Sequence, residues 1–165
     1  TWRRVGPAAQ APGGGALDFR SLWARDSLVA VVASAGEGAA GQARVFRTED
    51  GGRRWTLVHA DTATGAFFDA LAFWPDGRHG LLLSDPVDGA FVVWATDDAG
   101  ATWRRTAREG MPTARAGDGA FAAGNAALAV AGTVHAWFVT GGPAGPRILR
   151  TATGGARWDA VAPPL

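Results

Sequence analysis

Carboxylates are the side chains that this sequence groups most closely in a chemically usable way. Asp69 is followed by the run Ser84-Asp85-Pro86-Val87-Asp88-Gly89, and Asp18, Arg20 and Glu37 precede both. Brought to one end of a fold, several carboxylates can act as acid and base, bind a cation, or hydrogen-bond a partner. The competing reading is structural: Asp85 and Asp88 cap their own Pro-Val-Asp-Gly turn, and Asp69 satisfies a neighbouring loop. Other chemistries fare worse. His59, His79 and His135 are isolated, without metal-ligand spacing, so no metal site is expected. Ser84 lacks the Gly-x-Ser-x-Gly elbow and has no histidine close in sequence, so no catalytic residue set emerges. Gly36-Glu37-Gly38-Ala39-Ala40-Gly41 matches Gly-x-Gly-x-x-Gly, but Gln42 to Arg47 reads as strand where a dinucleotide site needs a helix. No cofactor is expected.

The elements that must position these groups are set by an internal repeat. Thr48-Glu49-Asp50-Gly51-Gly52-Arg53-Arg54-Trp55 aligns with Thr96-Asp97-Asp98-Ala99-Gly100-Ala101-Thr102-Trp103 and with Thr151-Ala152-Thr153-Gly154-Gly155-Ala156-Arg157-Trp158. Thr1-Trp2-Arg3-Arg4 matches the tail of a fourth copy. The tryptophans at 2, 55, 103 and 158 recur on the ~40–50-residue scale of propeller blades. Each copy lies between short β-rich runs and so reads as a hairpin turn. Its Asp carboxylate and Thr hydroxyl can accept backbone N–H groups, and its Gly supplies a positive φ. The closing Trp opens the next strand and lies between sheets. An indole of ~150–250 Å² contributes roughly 4–6 kcal/mol gross on burial. Thr48, Asp50, Gly52 and Trp55, Thr96, Asp98, Gly100 and Trp103, and Thr151, Gly155 and Trp158 are therefore assigned structural roles.

Strands are expected over 18–24, 28–34 and 43–48 and after Trp55. The second set covers 67–74, 80–84 and 90–95 and continues after Trp103. The third covers 120–131 (broken at Gly124-Asn125), 135–140 and 146–150 and continues after Trp158. No stretch has helical periodicity. The fold class expected is all-β: a partial β-propeller of about three four-stranded antiparallel blades, forming one domain over 1–165. Blades are placed at 16–59, 66–107 and 119–162, with 1–5 as the last strand of a preceding blade. Three blades do not close a ring of 4–8, so the chain is expected to be part of a longer one, the rival being closure by association of copies. Blade topology puts the start of each inner strand and the turn between second and third strands on one face. That face gathers Asp69, Ser84, Asp85 and Asp88, with Asp18, Arg20 and Glu37 from the first blade and Asp118 and Gly141-Gly142 from the third. Trp23, Trp74, Trp94 and Trp137 read as core.

Composition narrows the partners. All 16 basic residues are arginine, spread along the chain against 15 acids, for a net charge of +1. Without a basic block there is no electrostatic case for nucleic acid. No apolar run reaches bilayer length, so membrane insertion is not expected. With no cysteine, a disulfide framework and a thiolate metal site are both excluded. The arginine, alanine and glycine bias fits a GC-rich genome.

The repeated turns resemble the Asp-box, or bacterial neuraminidase, repeat of sialidase-like propellers. Ala66-Phe67-Phe68-Asp69-Ala70, Ser84-Asp85-Pro86-Val87-Asp88-Gly89, Gly119-Ala120-Phe121-Ala122-Ala123 and Thr140-Gly141-Gly142 are similar to a bacterial branch of photosystem assembly-factor-like proteins. This resemblance implies a six- or seven-bladed parent, often exported (periplasmic or secreted), with no established catalytic residues. Three departures stand out. Thr153 replaces the third box Asp, so that turn is expected to be looser or capped differently. Arg54 and Arg157 replace the usual Thr before Trp. There is also no tyrosine to serve as a sialidase nucleophile, and Arg147-Ile148-Leu149 only approaches the Arg-Ile-Pro signature. The expected function is a non-catalytic scaffold that binds another protein in the manner of an assembly or stability factor. The alternative is a sialidase-like glycoside hydrolase, with Asp69 and Asp85 its first candidates and its remaining catalytic residues elsewhere, or a propeller that binds a glycan without turnover.

Overall fold

The computed structural model describes residues 5–11, 13, 15–122 and 127–163. It is all-β apart from two single 3-10 turns, and its twelve strands form three separate four-stranded antiparallel sheets. The first sheet holds β1 (Asp18–Ala24), β2 (Ala30–Ala35), β3 (Arg44–Thr48) and β4 (Thr56–Ala60). The second holds β5 (Phe68–Phe73), β6 (Gly80–Val87), β7 (Ala90–Thr96) and β8 (Arg104–Arg105). The third holds β9 (Leu128–Ala131), β10 (His135–Thr140), β11 (Arg147–Thr151) and β12 (Asp159–Val161). Strand order within each sheet follows the chain, and β5 lies against both β1 and β9. The sheets are thus stacked side by side along their first strands, which is a partial β-propeller.

Burial follows from that stacking. The second strands are buried along nearly their whole length, Ala30–Ala35 facing the second sheet on one side and Gly80–Val87 lying between the first and third sheets. Between the first two sheets, Val31, Ala33 and Val45 meet Phe68, Phe73 and Leu82, and Trp23 stacks on Phe73 at 3.8 Å. Between the second and third, Leu81, Leu83, Phe91 and Val93 meet Phe138 and Leu149. Trp103 and Trp158 belong one to each junction, their rings set edge-on to Phe73 and Phe138. The glycines of the second and third turns seat against the preceding sheet, and Gly52 of the first seats against Val5. A Cβ on Gly100 would fall 2.8 Å from Val31 Cγ2, and one on Gly155 2.9 Å from Leu81 Cδ2.

The three repeated turns share one hydrogen-bond pattern. Thr48, Thr96 and Thr151 each accept the N–H of the turn glycine four residues on, at 3.0, 3.0 and 3.2 Å. Asp50 and Asp98 accept the amides of Arg54 and Thr102, both at 2.9 Å. In the third copy the Thr153 hydroxyl accepts the Arg157 amide at 2.8 Å, so that turn is capped by a hydroxyl in the carboxylate's place.

Several elements differ from their sequence reading. The strand continues through Pro86, which a bulge beside Asp85 makes possible, and the turn shrinks to Asp88 and Gly89. Both residues have positive φ, 54° and 77°, as a two-residue type I′ hairpin requires. In the third sheet the inner strand is only Leu128–Ala131; Ala120 and Phe121 are outside it, and the Gly124-Asn125 break lies outside the described residues. Of the expected strand over 1–5, residues 1–4 also lie outside the described residues, and Val5 is not in a strand. The Gly-x-Gly-x-x-Gly segment forms a 3-10 turn, Gly38–Ala40, with no helix after it. Gly38 serves packing there, since a Cβ would lie 2.7 Å from the Ala63 carbonyl oxygen.

Candidate functional site

Strand register divides each sheet into two ends. Thr48 faces Ala30, and Thr96 faces Gly80, which pairs in turn with Phe73; the repeated turns therefore sit where the first strands finish. Asp18 pairs with Ala35, and Phe68 with Ser84, at the other end. Glu37, Asp69, Ser84, Asp85 and Asp88 therefore lie toward the same end of the sheets as Asp18 and Arg20.

Phe67 is the hub of this end. Its amide donates to Ser84 Oγ at 3.0 Å, its carbonyl accepts the Asp85 amide at 3.1 Å, and it bridges Glu37 of the first sheet's loop. The next two irregularities aim the acids. The β5–β6 register shifts at Asp69, and the β6–β7 register shifts at Asp85, so each is an extra residue displaced from the ladder. Asp69 is only 2% exposed, and its Oδ2 has no hydrogen-bond partner among the described residues. Asp85 is half-buried, and its Oδ1 accepts the Ala120 amide of the third repeat at 2.8 Å. Glu37 is exposed. The three acids thus step from core to surface.

No described ion pair involves any of them. Burial, reinforced by the nearby Asp85 charge, pushes the Asp69 carboxyl up to about 8, so it is protonated at neutral pH. Burial also raises Asp85; the Ala120 amide opposes this, and Glu37 adds to it. A neutral carboxylic acid beside an ionisable one can donate a hydrogen bond. Once ionised, the pair presents negative charge to a cation.

The neighbouring groups are already engaged. Asp18 and Arg20 pair with each other at 2.7 Å on the surface. Ser84 is fully buried, its oxygen committed to the Phe67 amide. The Asp88 carbonyl accepts the Arg108 guanidinium, while its side chain remains exposed. Asp118 is tied between Arg115 and Arg147, the latter at 2.5 Å. Burial alone would raise its carboxyl, but hydrogen bonds from Arg115 and Arg147 hold it below the ordinary value. Sequence reasoning placed Asp118 at this end but missed both arginine partners. The three-residue spacing of Arg115 and Asp118 was the available signal. Gly119 and Gly141 exchange backbone hydrogen bonds at 2.8 and 3.0 Å, which brings the third sheet's loops to the same end.

Among the described residues, no group of three or more His, Cys, Asp or Glu side chains is placed to hold a metal ion, and no helix is long and apolar enough to cross a membrane. An apolar groove of about 410 Å³ lies elsewhere, on the outer face of the first sheet, where Phe19, Leu22, Val32 and Trp55 line it.

No protein-family model matches the chain, and no curated protein matches it. Solved structures do. YCF48 bound to a D1 peptide superposes with a TM-score of 0.56 at 20% identity, over 92% of this chain and 41% of that one. A Dyadobacter fermentans protein of unknown function gives 0.59 at 20% identity, over 90% of this chain and 50% of that one. The GH74 xyloglucanase of Xanthomonas campestris gives 0.50 at 17% identity, over 93% of this chain and 23% of that one. The chain spans at most half the length of these structural relatives, and what it shares with them is the β-propeller fold.

Proposed function

We propose that this chain is a propeller scaffold that binds another protein, as an assembly factor does, through the end carrying Glu37, Asp69, Asp85 and Asp88. The observation that carries this reading is the shared fold with YCF48, which was solved holding a D1 peptide. Fold by itself does not determine function, but the site adds to it: loops from all three sheets converge there, and Asp88 and Glu37 stand exposed at its rim. In this reading the repeated turns are Asp boxes. Residues 16–59, 66–107 and 119–162 are three blades of one domain, and the partner meets the end opposite the boxes.

A photo-crosslinking side chain at Asp88 tests the proposal, with one at Arg53, exposed on a repeated turn, as the control. In host lysate the Asp88 position is expected to give a discrete protein adduct that unlabelled chain competes away, and the Arg53 position none. Equal labelling at both positions, or none at Asp88, refutes the reading.

A glycoside-active propeller is a second reading, favoured by one observation: Asp69 keeps its proton at neutral pH beside a second carboxyl, as a general acid must. Inverting and retaining glycosidases use such pairs ~5–9 Å apart. Release of reducing ends from xyloglucan, lost in Asp69→Asn and Asp85→Asn, would support it. No release of reducing ends would exclude that substrate.

A further inference from the structure

We infer that the Glu37–Asp69–Asp85 cluster is a seat for an organic cation, a guanidinium or ammonium side chain presented by the bound partner. The inference rests on the protein-binding reading above and names the chemistry of its contact.

Three observations carry it. First, Asp69 Oδ2 is buried without a hydrogen-bond partner among the described residues, although buried polar atoms in folded proteins are satisfied in the great majority of cases. Second, neither Asp69 nor its neighbour Asp85 has a cation in a described ion pair, whereas the other buried acid, Asp118, is held between Arg115 and Arg147. Asp85 from β6 faces Asp69, and Glu37 from the loop after β2 faces Asp85, so the chain of neighbours is acidic throughout. β1 contributes the Ser21 hydroxyl, which donates to the Asp69 carbonyl at 3.4 Å. Third, the acids are not placed to share one metal ion. A planar guanidinium can engage separate carboxylates through its several N–H donors, and it is the less strongly hydrated cation for a half-buried site. The Ala120 amide fixes Asp85 Oδ1, so one wall of the seat is held by the segment that leads into the third sheet.

N-acetylarginine amide and its neutral isostere N-acetylcitrulline amide are the probes, titrated into the 15N-labelled chain and followed by amide NMR at pH 6 and pH 9. Arginine is expected to shift the Asp69, Asp85 and Ala120 amides saturably, roughly tenfold more tightly at pH 9 than at pH 6. Citrulline is expected to leave them unmoved. Asp69→Asn and Asp85→Asn should each weaken the response at pH 9 by about tenfold or more, while Asp97→Asn, exposed on a repeated turn at the opposite end, keeps it. Equal shifts from citrulline, no shift from arginine, or an unaltered response in Asp69→Asn overturns the inference. The crosslinking result separates it from the reading beneath. A partner captured at Asp88 without an arginine response defeats only the cation seat. An arginine response without a captured partner defeats only the protein-binding reading.

Discussion

Replacing Asp69 by Asn should change how stability depends on pH, and the size of the change follows from the site. The Asp69 carboxyl moves from an ordinary 3.8 to about 8 on folding. Below pH 3.8 both states hold the proton and no penalty arises. Above that, the unfolded chain ionises freely while the folded one does not, so stability falls by about 1.4 kcal/mol per pH unit. The loss levels off above pH 8, where the folded state ionises too. His59 acts in the opposite sense: burial lowers its imidazole against the pull of Asp61, so its share of stability is lost as pH falls below 6.5. Asp69 is therefore read most cleanly above that value. Between pH 6.5 and 9 it should remove roughly 2 kcal/mol, a large share of a domain stability of about 5–15 kcal/mol. Urea denaturation at pH 6.5, 8 and 9 measures this directly. Wild type should weaken across the series and Asp69→Asn should stay nearly level, any residual slope disappearing in the double variant with Asp85→Asn. Wild-type stability that is constant or rises over the interval, or an Asn variant that falls equally, would refute the reasoning.

Other consequences can be checked by chemical denaturation at neutral pH. Thr96→Val leaves the buried Gly100 amide without its acceptor and should cost about 1–3 kcal/mol. Ala99 adopts φ 58° where the other two repeated turns have glycine, so Ala99→Gly should stabilise by about 0.5–1 kcal/mol; a loss would mean the turn is unstrained. Arg147→Met strips one of two arginine partners from the buried Asp118 carboxylate and should cost about 1–3 kcal/mol, a penalty that shrinks as acid protonates Asp118. Acid should also weaken the chain below about pH 4. There the hydrogen bonds that hold Asp76 at about 2, against the effect of burial, lose their charged acceptor.

What could be read from the sequence was what the chain builds locally. The repeated turns close on themselves: Thr48 and Asp50 reach only two and four residues ahead, so residue types at fixed offsets suffice to specify them. Strands such as Asp18–Ala24 and His135–Thr140 were equally legible, flanked by turn residues. The candidate site was legible in its members and not in its mechanics. Asp85 binds Ala120, 35 residues away in the next repeat, and no local pattern encodes that contact. The bulges at Asp69 and Asp85 depend on how neighbouring strands register, and Pro86 disguised a strand as a turn. The short β8, only Arg104–Arg105, likewise reflects pairing with β7 rather than residue type.

The account turns on a carboxyl that stays neutral beside another acid at the end opposite the repeated turns. Carbon-13 NMR of aspartate side-chain carboxyls, assigned through Asp69→Asn, reads that state directly. A resonance that titrates near pH 8 and moves downward when Asp85→Asn removes its neighbour is the predicted result. A carboxyl that ionises below pH 5, indifferent to Asp85, would contradict it.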